Sequence, residues 1–354
     1  MRMFLAVLAA IAALTVVACG DDDNGDSGSS GSGSGSETTA SSETLCGERK
    51  IGIFVQTLQS TVLGTWTENT EQTLDAIGWT HETVEGAGDP VKSKQAMQTL
   101  LNQDVDAILT IAQDPAPIVD ELQQAKEAGI PVYATFLETA PQGAELLTAT
   151  LGDPSDKMGY KAADYVAKNL PDQPIIADNV SASYSGNDFV MAEKRRLAKY
   201  GLKFDDYRDI SLTNLVESAT QNATAMLQAN PGEITYMGEG DFGPPIYQAV
   251  FDKLGRDDVT VLSRYDIEPT LELVRAGKKN VVQVTRTQDH MLNAVERLLK
   301  HWCNDEPLDT KDDLSLPGYT EITSENVTES GPTYPFEPVL EERLVEWQDE
   351  FGGN

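Results

Sequence analysis

The chain is poor in the residues that metal and nucleophile chemistry depends on. Its 354 residues include three histidines and three cysteines. His81, His290 and His301 share no ligand spacing, and there is no CxxC or His/Cys cluster, so no metal site is indicated. Positive charge is also scarce: 26 Lys and Arg stand against 57 Asp and Glu, a formal net charge of −31. A surface of that sign repels phosphate backbones and excludes nucleic acid as a partner. Beyond the first 18 residues no apolar run approaches the length of a membrane span. Ser183 and Ser185 lack the GxSxG setting of a hydrolase nucleophile. Asp241-Phe242-Gly243 spells DFG, but no strand lysine or HRD accompanies it. These absences speak against an enzyme, and no cofactor is implied.

What is present begins with an address. Met1-Arg2-Met3 carries one positive charge, and Phe4–Val17 is an apolar run too short for a comfortable span. It ends in Val16-Val17-Ala18-Cys19, which resembles the lipobox of bacterial lipoproteins; an ordinary secretory signal cut near Ala18 is the alternative. Residues 1–18 are therefore expected to be a signal peptide and Cys19 the site of lipidation. Residues 19–46, mostly Gly, Ser, Asp, Thr and Glu, have little to bury and are expected to form a flexible tether. Such a chain would hold the domain roughly 25–30 Å from its anchor. The domain is then expected outside the cytoplasm, held to the membrane by lipid. With Cys19 assigned to lipid, Cys46 and Cys303 remain, and export favours a structural pair over two free thiols.

The rest of the chain is organised around residues 105–136, VDAILTIAQDPAPIVDELQQAKEAGIPVYATF. Ala107–Ala112 reads as a strand buried on both faces. Gln113-Asp114-Pro115 is a polar turn in which Pro115 can open a helix. Ile118, Leu122 and Ala125 form one apolar stripe, Gly129 supplies a left-handed stop, and Ile130–Phe136 is a second strand. This is a βαβ unit with parallel strands, and ligands of such sheets bind beyond the carboxyl ends of the strands, where Asp114 and Phe136 fall. Upstream, Arg49–Leu58 predicts a strand, and residues 65–77 a helix with Leu74 and Ile77 inward. Trp79–Glu85 predicts a second strand, and Asp89-Pro90 caps a helix running through Val91, Met97 and Leu101. Downstream, Leu146–Leu151 is expected to cross between lobes. Helices near 154–169, 188–200, 216–229, 244–254, 268–276 and 288–302 alternate with strands near 175–180, 203–210, 234–238, 259–265 and 281–285. The fold class is α/β, two doubly wound lobes.

In order and spacing, KIGIFVQTLQST, DAILTIAQDPAPIVDELQQAKEAGIPVYAT, TLGDPSDKMGYKAADYVAKNL, NPGEITYMGEGD, VLSRYD and GYTEITSENV resemble the type I periplasmic solute-binding proteins of the ribose-binding group, over about 49–330. The resemblance implies two Rossmann-like lobes joined by three crossovers, near Gly152, Thr285 and residues 310–320. The first lobe would take 47–152 plus 286–312, and the second 153–285 plus 313–354. It implies a monomer that closes on a small-molecule solute and docks on an ABC permease; a sensory role uses the same fold. In the family's order the helix over 288–302 ends near the start of the first strand, which would bring Cys303 to Cys46.

Carried over residue by residue, most of the family's ligand positions have changed. The Asn and two aromatics after the first strand fall on Ser60, Val62 and Leu63, and the Asp-Arg pair after the fourth strand on Phe136-Leu137. The helix arginine falls on Met191, the Asn-Asp pair on Gly240-Asp241, and the Gln near the second crossover on Thr285. Asp266, closing VLSRYD, is retained as a ligand hydrogen-bonder, with a helix cap as its alternative. Trp66, Phe136 and Tyr184 are candidates to replace the lost rings, and Asn187 joins them at a helix start. With both arginines gone, Asp114, Glu239, Asp241 and Asp266 predict an acidic cleft suited to a polyol or a small cation. Gly238-Glu239-Gly240-Asp241-Phe242-Gly243 also matches GxGxxG, which keeps a nucleotide-binding enzyme as the alternative reading, though two carboxylates stand where a pyrophosphate would sit.

Overall fold

The computed structural model describes residues 44–137, 142–152, 154–238, 242–308 and 318–353, and residues 42–354 form one compact unit. Strands β1 (Lys50–Val55), β2 (Thr80–Glu85), β3 (Ala107–Ile111), β4 (Val132–Thr135) and β5 (Ala149–Leu151) lie in the order β2-β1-β3-β4-β5. All pairs are parallel, with Ile51 opposite Ala107 and Ile108 opposite Val132. The connecting helices are α1 (Thr61–Ala76), α2 (Pro90–Leu101) and α3 (Val119–Ala128). The local signals in the sequence act as expected. Asp89 caps α2 by accepting from the N–H groups of Val91 and Lys92, at 2.8 and 3.0 Å. Gly129 ends α3 at φ +74°, and Ile118, Leu122 and Ala125 are buried. Val91, in the first turn of α2, faces solvent, while Met97 is buried.

The second sheet follows the same plan. Strands β6 (Ile175–Asn179), β7 (Asp206–Asp209), β8 (Ile234–Gly238), β9 (Val259–Arg264), β10 (Asn280–Val284) and β11 (Thr320–Ile322) lie in the order β11-β10-β9-β8-β6-β7. Only β11 runs antiparallel among the described strands. Helices α4 (Ser155–Asn169), α5 (Tyr184–Lys199), α6 (Leu215–Ala229), α7 (Gly243–Leu254) and α8 (Glu268–Arg275) cover its faces. Each lobe is thus a sheet buried between helices, as near-continuous apolar strands require.

Two expectations about the connections change. Leu146–Leu151 does not cross between lobes: it supplies β5, the last strand of the first sheet, and the chain leaves for α4 only afterwards. After β10 the chain returns to the first lobe through α9 (Asp289–Asn304), whose Leu292, Val295, Leu298 and Leu299 join the first-lobe core. The tail beyond 313 is divided rather than belonging wholly to the second lobe. β11 pairs with β10, whereas α10 (Phe336–Phe351) inserts Phe336, Leu340, Trp347 and Phe351 into the first-lobe core. Residues 323–335 therefore make a further passage between the lobes, which the sequence did not signal. At the end of the first sheet away from the cleft, Cys46 and Cys303 form a disulfide with Cα atoms 5.2 Å apart.

Candidate functional site

The carboxyl ends of both parallel sheets face each other across a cleft. Gln56, Thr57, Ser60 and Trp66 follow β1, while Ala112 and Phe136 end β3 and β4. Val180, Ser183, Leu212, Phe242, Arg264 and Tyr265 come from the second lobe, and the walls enclose about 40 Å³. The backbone is strained where it enters this space. Ala112, Phe136 and Tyr265 directly follow strands and hold φ of +53°, +56° and +65°. Such left-handed non-glycine residues cost about 1–3 kcal/mol each and persist where the surrounding structure over-determines them, as at binding sites.

Aromatic rings dominate one wall. Trp66 stacks on Phe136 with centroids 3.9 Å apart and planes 8° from parallel, and Tyr265 meets Trp66 edge-on at 4.8 Å. Trp66 and Tyr265 also divide the cleft from a hollow of about 240 Å³, bounded on its far side by Asp266, Gln288 and Tyr334. Arg264, only 3% exposed, lines the same cleft. Its guanidinium lies 4.1 Å from the Phe189 ring centroid and 5.2 Å from that of Tyr265. Behind it, burial pushes the Glu193 carboxyl well above its usual range; Arg264 pulls it down and Asp178 adds to the rise.

The expected residues divide into three groups. Ser60, Trp66 and Phe136 line the cleft, and Ser60 also caps α1 through the Leu63 N–H. Asp114, Tyr184, Asn187, Asp266 and Thr285 are engaged elsewhere. Asp114 Oδ2 accepts the Tyr184 N–H across the lobes at 2.8 Å, and burial raises its carboxyl to about 6 against the lowering effect of that bond. Asn187 Oδ1 accepts from Asn179 at 2.8 Å, and Thr285 is fully buried with its carbonyl taking the Thr287 hydroxyl. Asp266 is neither in contact with the ring-lined cleft nor a helix cap. Its Oδ2 accepts the N–H groups of Thr333 and Tyr334, at 2.7 and 3.2 Å, and α8 has no side-chain cap. Asp241 and Cys19 lie outside the described residues.

Of the four carboxylates expected to make the cleft acidic, Asp114 and Asp266 accept backbone N–H groups, and Glu239 and Asp241 lie outside the described residues; Arg264 is a charged side chain of the described cleft wall. Sequence reasoning missed this residue. Its signal was a lone cation inside the otherwise uncharged strand VTVLSR. Phe242 closes the glycine loop that the sequence singled out after β8, whereas Leu212 carried no signal.

The glycine loop also finds another explanation. Gly238 holds φ +128°, and a Cβ there would stand 2.3 Å from the Asp178 carbonyl oxygen. A Cβ on Gly243 would overlap the Tyr247 ring. Both glycines thus admit the close approach of this chain's own groups. Asp178 below them is fully buried and accepts from the hydroxyls of Tyr236, at 2.9 Å, and Tyr247.

Comparisons with known proteins agree with this architecture. The Caulobacter myo-inositol binding protein, solved with myo-inositol, superposes with a TM-score of 0.69 at 16% identity, covering 80% of this chain and 96% of that one. A solute binding protein of an ABC transporter from Mycobacterium smegmatis, with bound glycerol, gives 0.68 at 18% identity, covering 81% and 99%. One from Actinobacillus succinogenes, with bound D-allose, gives 0.67 at 18% identity, covering 78% and 98%. Among curated proteins, the fructose import binding protein FruE of Bifidobacterium longum is 33% identical over 87 residues, 24% of this chain and 27% of that protein. The periplasmic-binding protein YphF of Escherichia coli, from an ABC transporter, is 36% identical over 95 residues, 25% and 29%. The chain thus spans 27–29% of the length of these curated relatives. The profile of the periplasmic binding protein domain matches residues 51–296. That match takes in both sheets from β1 to β10 and the cleft between them, so the chain belongs to the periplasmic binding protein domain family.

Proposed function

We propose that the chain is the substrate-binding component of an ABC importer, and that it captures a neutral polyhydroxylated solute, a sugar or polyol, between its lobes. The observation that carries this reading is that aromatic rings and one buried guanidinium line the same cleft. Trp66, Phe136 and Tyr265 line the cleft with apolar rings, a surface that suits the C–H groups of a sugar. Arg264 offers a rigid fork of donors to hydroxyl oxygens, and Gln56, Thr57, Ser60 and Ser183 add neutral polar groups around it. The relative named for fructose import, and the similar folds solved with inositol, allose and glycerol, support the same class of solute. The protein binds and delivers its solute unchanged, as a monomer docking on a permease.

The reading extends to the start of the chain. Residues 1–18 direct export and Cys19 carries the lipid, with 19–46 as the tether; the Val16-Val17-Ala18-Cys19 sequence supports this. Metabolic labelling with a fatty acid should mark the wild type and not Cys19→Ser.

A thermal-shift screen of hexoses, pentoses, inositols, glycerol, amines and nucleotides tests the function. A sugar or polyol should raise the melting temperature, since ligand binding stabilises the native state by about 2.7 kcal/mol at a hundredfold excess over Kd. Arg264→Met and Trp66→Leu should each lower the affinity of that solute at least tenfold by calorimetry. A shift from NAD alone, or from amines alone, would overturn the proposal.

A further inference from the structure

Helices α5 and α6 of the second lobe both start toward the first lobe, and neither caps itself. Ser183, before α5, and Asn214, before α6, make no side-chain cap hydrogen bond. The helices α3, α4, α7, α8, α9 and α10 also make no side-chain cap bond, whereas α1 and α2 are capped by their own Ser60 and Asp89; what sets α5 and α6 apart is an acceptor from the other lobe. The missing acceptors come from across the cleft. Asp114 Oδ2, after β3, accepts the N–H of Tyr184, the first residue of α5, at 2.8 Å. Gln59 Oε1, after β1, accepts the N–H of Leu215, the first residue of α6, at 3.2 Å, while its Nε2 donates to the Thr213 carbonyl at 3.4 Å.

We infer that Asp114 and Gln59 are positioning residues that set solute affinity without touching solute, by capping two second-lobe helices from the first lobe and so holding the cleft shut. An open cleft leaves both helix starts without these acceptors, so the two caps form together or not at all. A cap at this position contributes about 0.5–2 kcal/mol in ordinary helices.

One of the two caps can titrate. Asp114 is 7% exposed, and its Oδ1 has no hydrogen bond among the described residues. A pocket of about 80 Å³ in front of it is lined by Gln56, Asp89, Ser93 and Gln113 from the first lobe and by Ala182 and Leu212 from the second. Asp89 is the other titratable group there, and its Oδ1 is occupied by the start of α2. On the α5 side, Tyr184 presents its backbone, and Asp188 is paired with Arg195 at 3.5 Å. Among the described residues no cation offsets the burial that raises this carboxyl to about 6 when the lobes are closed. Opening to water returns it toward 3.8. The closed form binds the proton more tightly, so closure is favoured at low pH and weakens about tenfold between pH 5 and pH 7.

The purpose of the device rests on the solute-binding reading; its test does not. Amide exchange is measured on the solute-free full chain as protection factors at Tyr184 and Leu215, with the β4 amides as a reference for intact folding. At pH 5, where the closed form holds Asp114 protonated, Asp114→Ala should lower protection at Leu215, and Gln59→Ala should lower it at Tyr184, each by about five- to tenfold, the weight of one cap. This cross-effect is the signature, because a merely local cap would change only its own partner. Asp114→Asn keeps an acceptor and should hold protection at both sites while losing the wild type's dependence on pH. Loss confined to the directly bonded amide, or an Asp114→Asn profile that follows the wild type, would overturn the inference. Gln59 is exposed, so its variant leaves the core intact even if Asp114→Ala fails to fold. If no sugar or polyol binds but the cross-effect holds, the functional reading fails and the latch stands.

Discussion

Asp178 makes the pH dependence of folding predictable in sign and size. It lies on β6 with no exposed surface, receives hydroxyl bonds from Tyr236 and Tyr247 on Oδ2, and has no partner for Oδ1 among the described residues. Burial raises its carboxyl from 3.8 to about 7, outweighing the two tyrosines. A group raised in the folded state contributes stability fully below its unfolded pKa and loses it as pH climbs through the folded one. Folding should therefore be stronger at pH 5 than at pH 7.5, and linkage over that interval gives about 2–3 kcal/mol for this one group. The general relief of repulsion in so acidic a chain acts in the same direction, so the wild-type trend alone would not isolate Asp178. Asp178→Asn does, because the amide oxygen still accepts both hydroxyls while the charge disappears. Urea unfolding at the two pH values should show the gap between them shrinking by about 2–3 kcal/mol in the variant, with unchanged m-values. Identical gaps in wild type and variant would refute the assignment of a buried, titrating carboxyl.

Other consequences follow from single contacts. Replacing Cys46 and Cys303 together by serine should lower stability by up to about 5 kcal/mol, from the long loop they close, and leave solute affinity unchanged because the link lies away from the cleft; two alkylatable thiols in the unreduced native protein would show that no link forms. Asp266→Ala should remove two charge-assisted bonds to the tail, raise exchange at the Thr333 and Tyr334 amides and cost about 1–3 kcal/mol; unchanged exchange at both amides would dismiss the tether. Arg264→Met and Glu193→Gln should couple by at least about 1 kcal/mol in a double-mutant cycle of unfolding, since both are buried and the guanidinium lowers the Glu193 carboxyl; strictly additive losses would show that they do not interact.

The sequence by itself determined the alternation of strands and helices, because those signals are local. Asp89-Pro90 opens α2, Ile118, Leu122 and Ala125 set the buried stripe beneath β3, and Gly129 closes α3; each acts within a turn or two of itself. The position of Ser60 and Phe136 beyond strand ends, and of Trp66 in the first turns of the helix after β1, was open to the same reading, since a parallel sheet puts its binding loops there. Resemblance, rather than local pattern, brought Cys303 to Cys46. Only the tertiary structure decided how the charges are used. Asp114 meets Tyr184 from 70 residues away and Asp266 meets Thr333 from 67, so their carboxylates serve backbone N–H groups that no periodicity announces. Arg264 becomes the cation of the cleft because its strand ends there between Phe189 and Tyr265. The tail helix α10 returns to the first lobe because Trp347 and Phe351 find their apolar partners only in the assembled core around α9. Burial and pairing are properties of neighbours in space, and a carboxylate's role is set by which of them it meets.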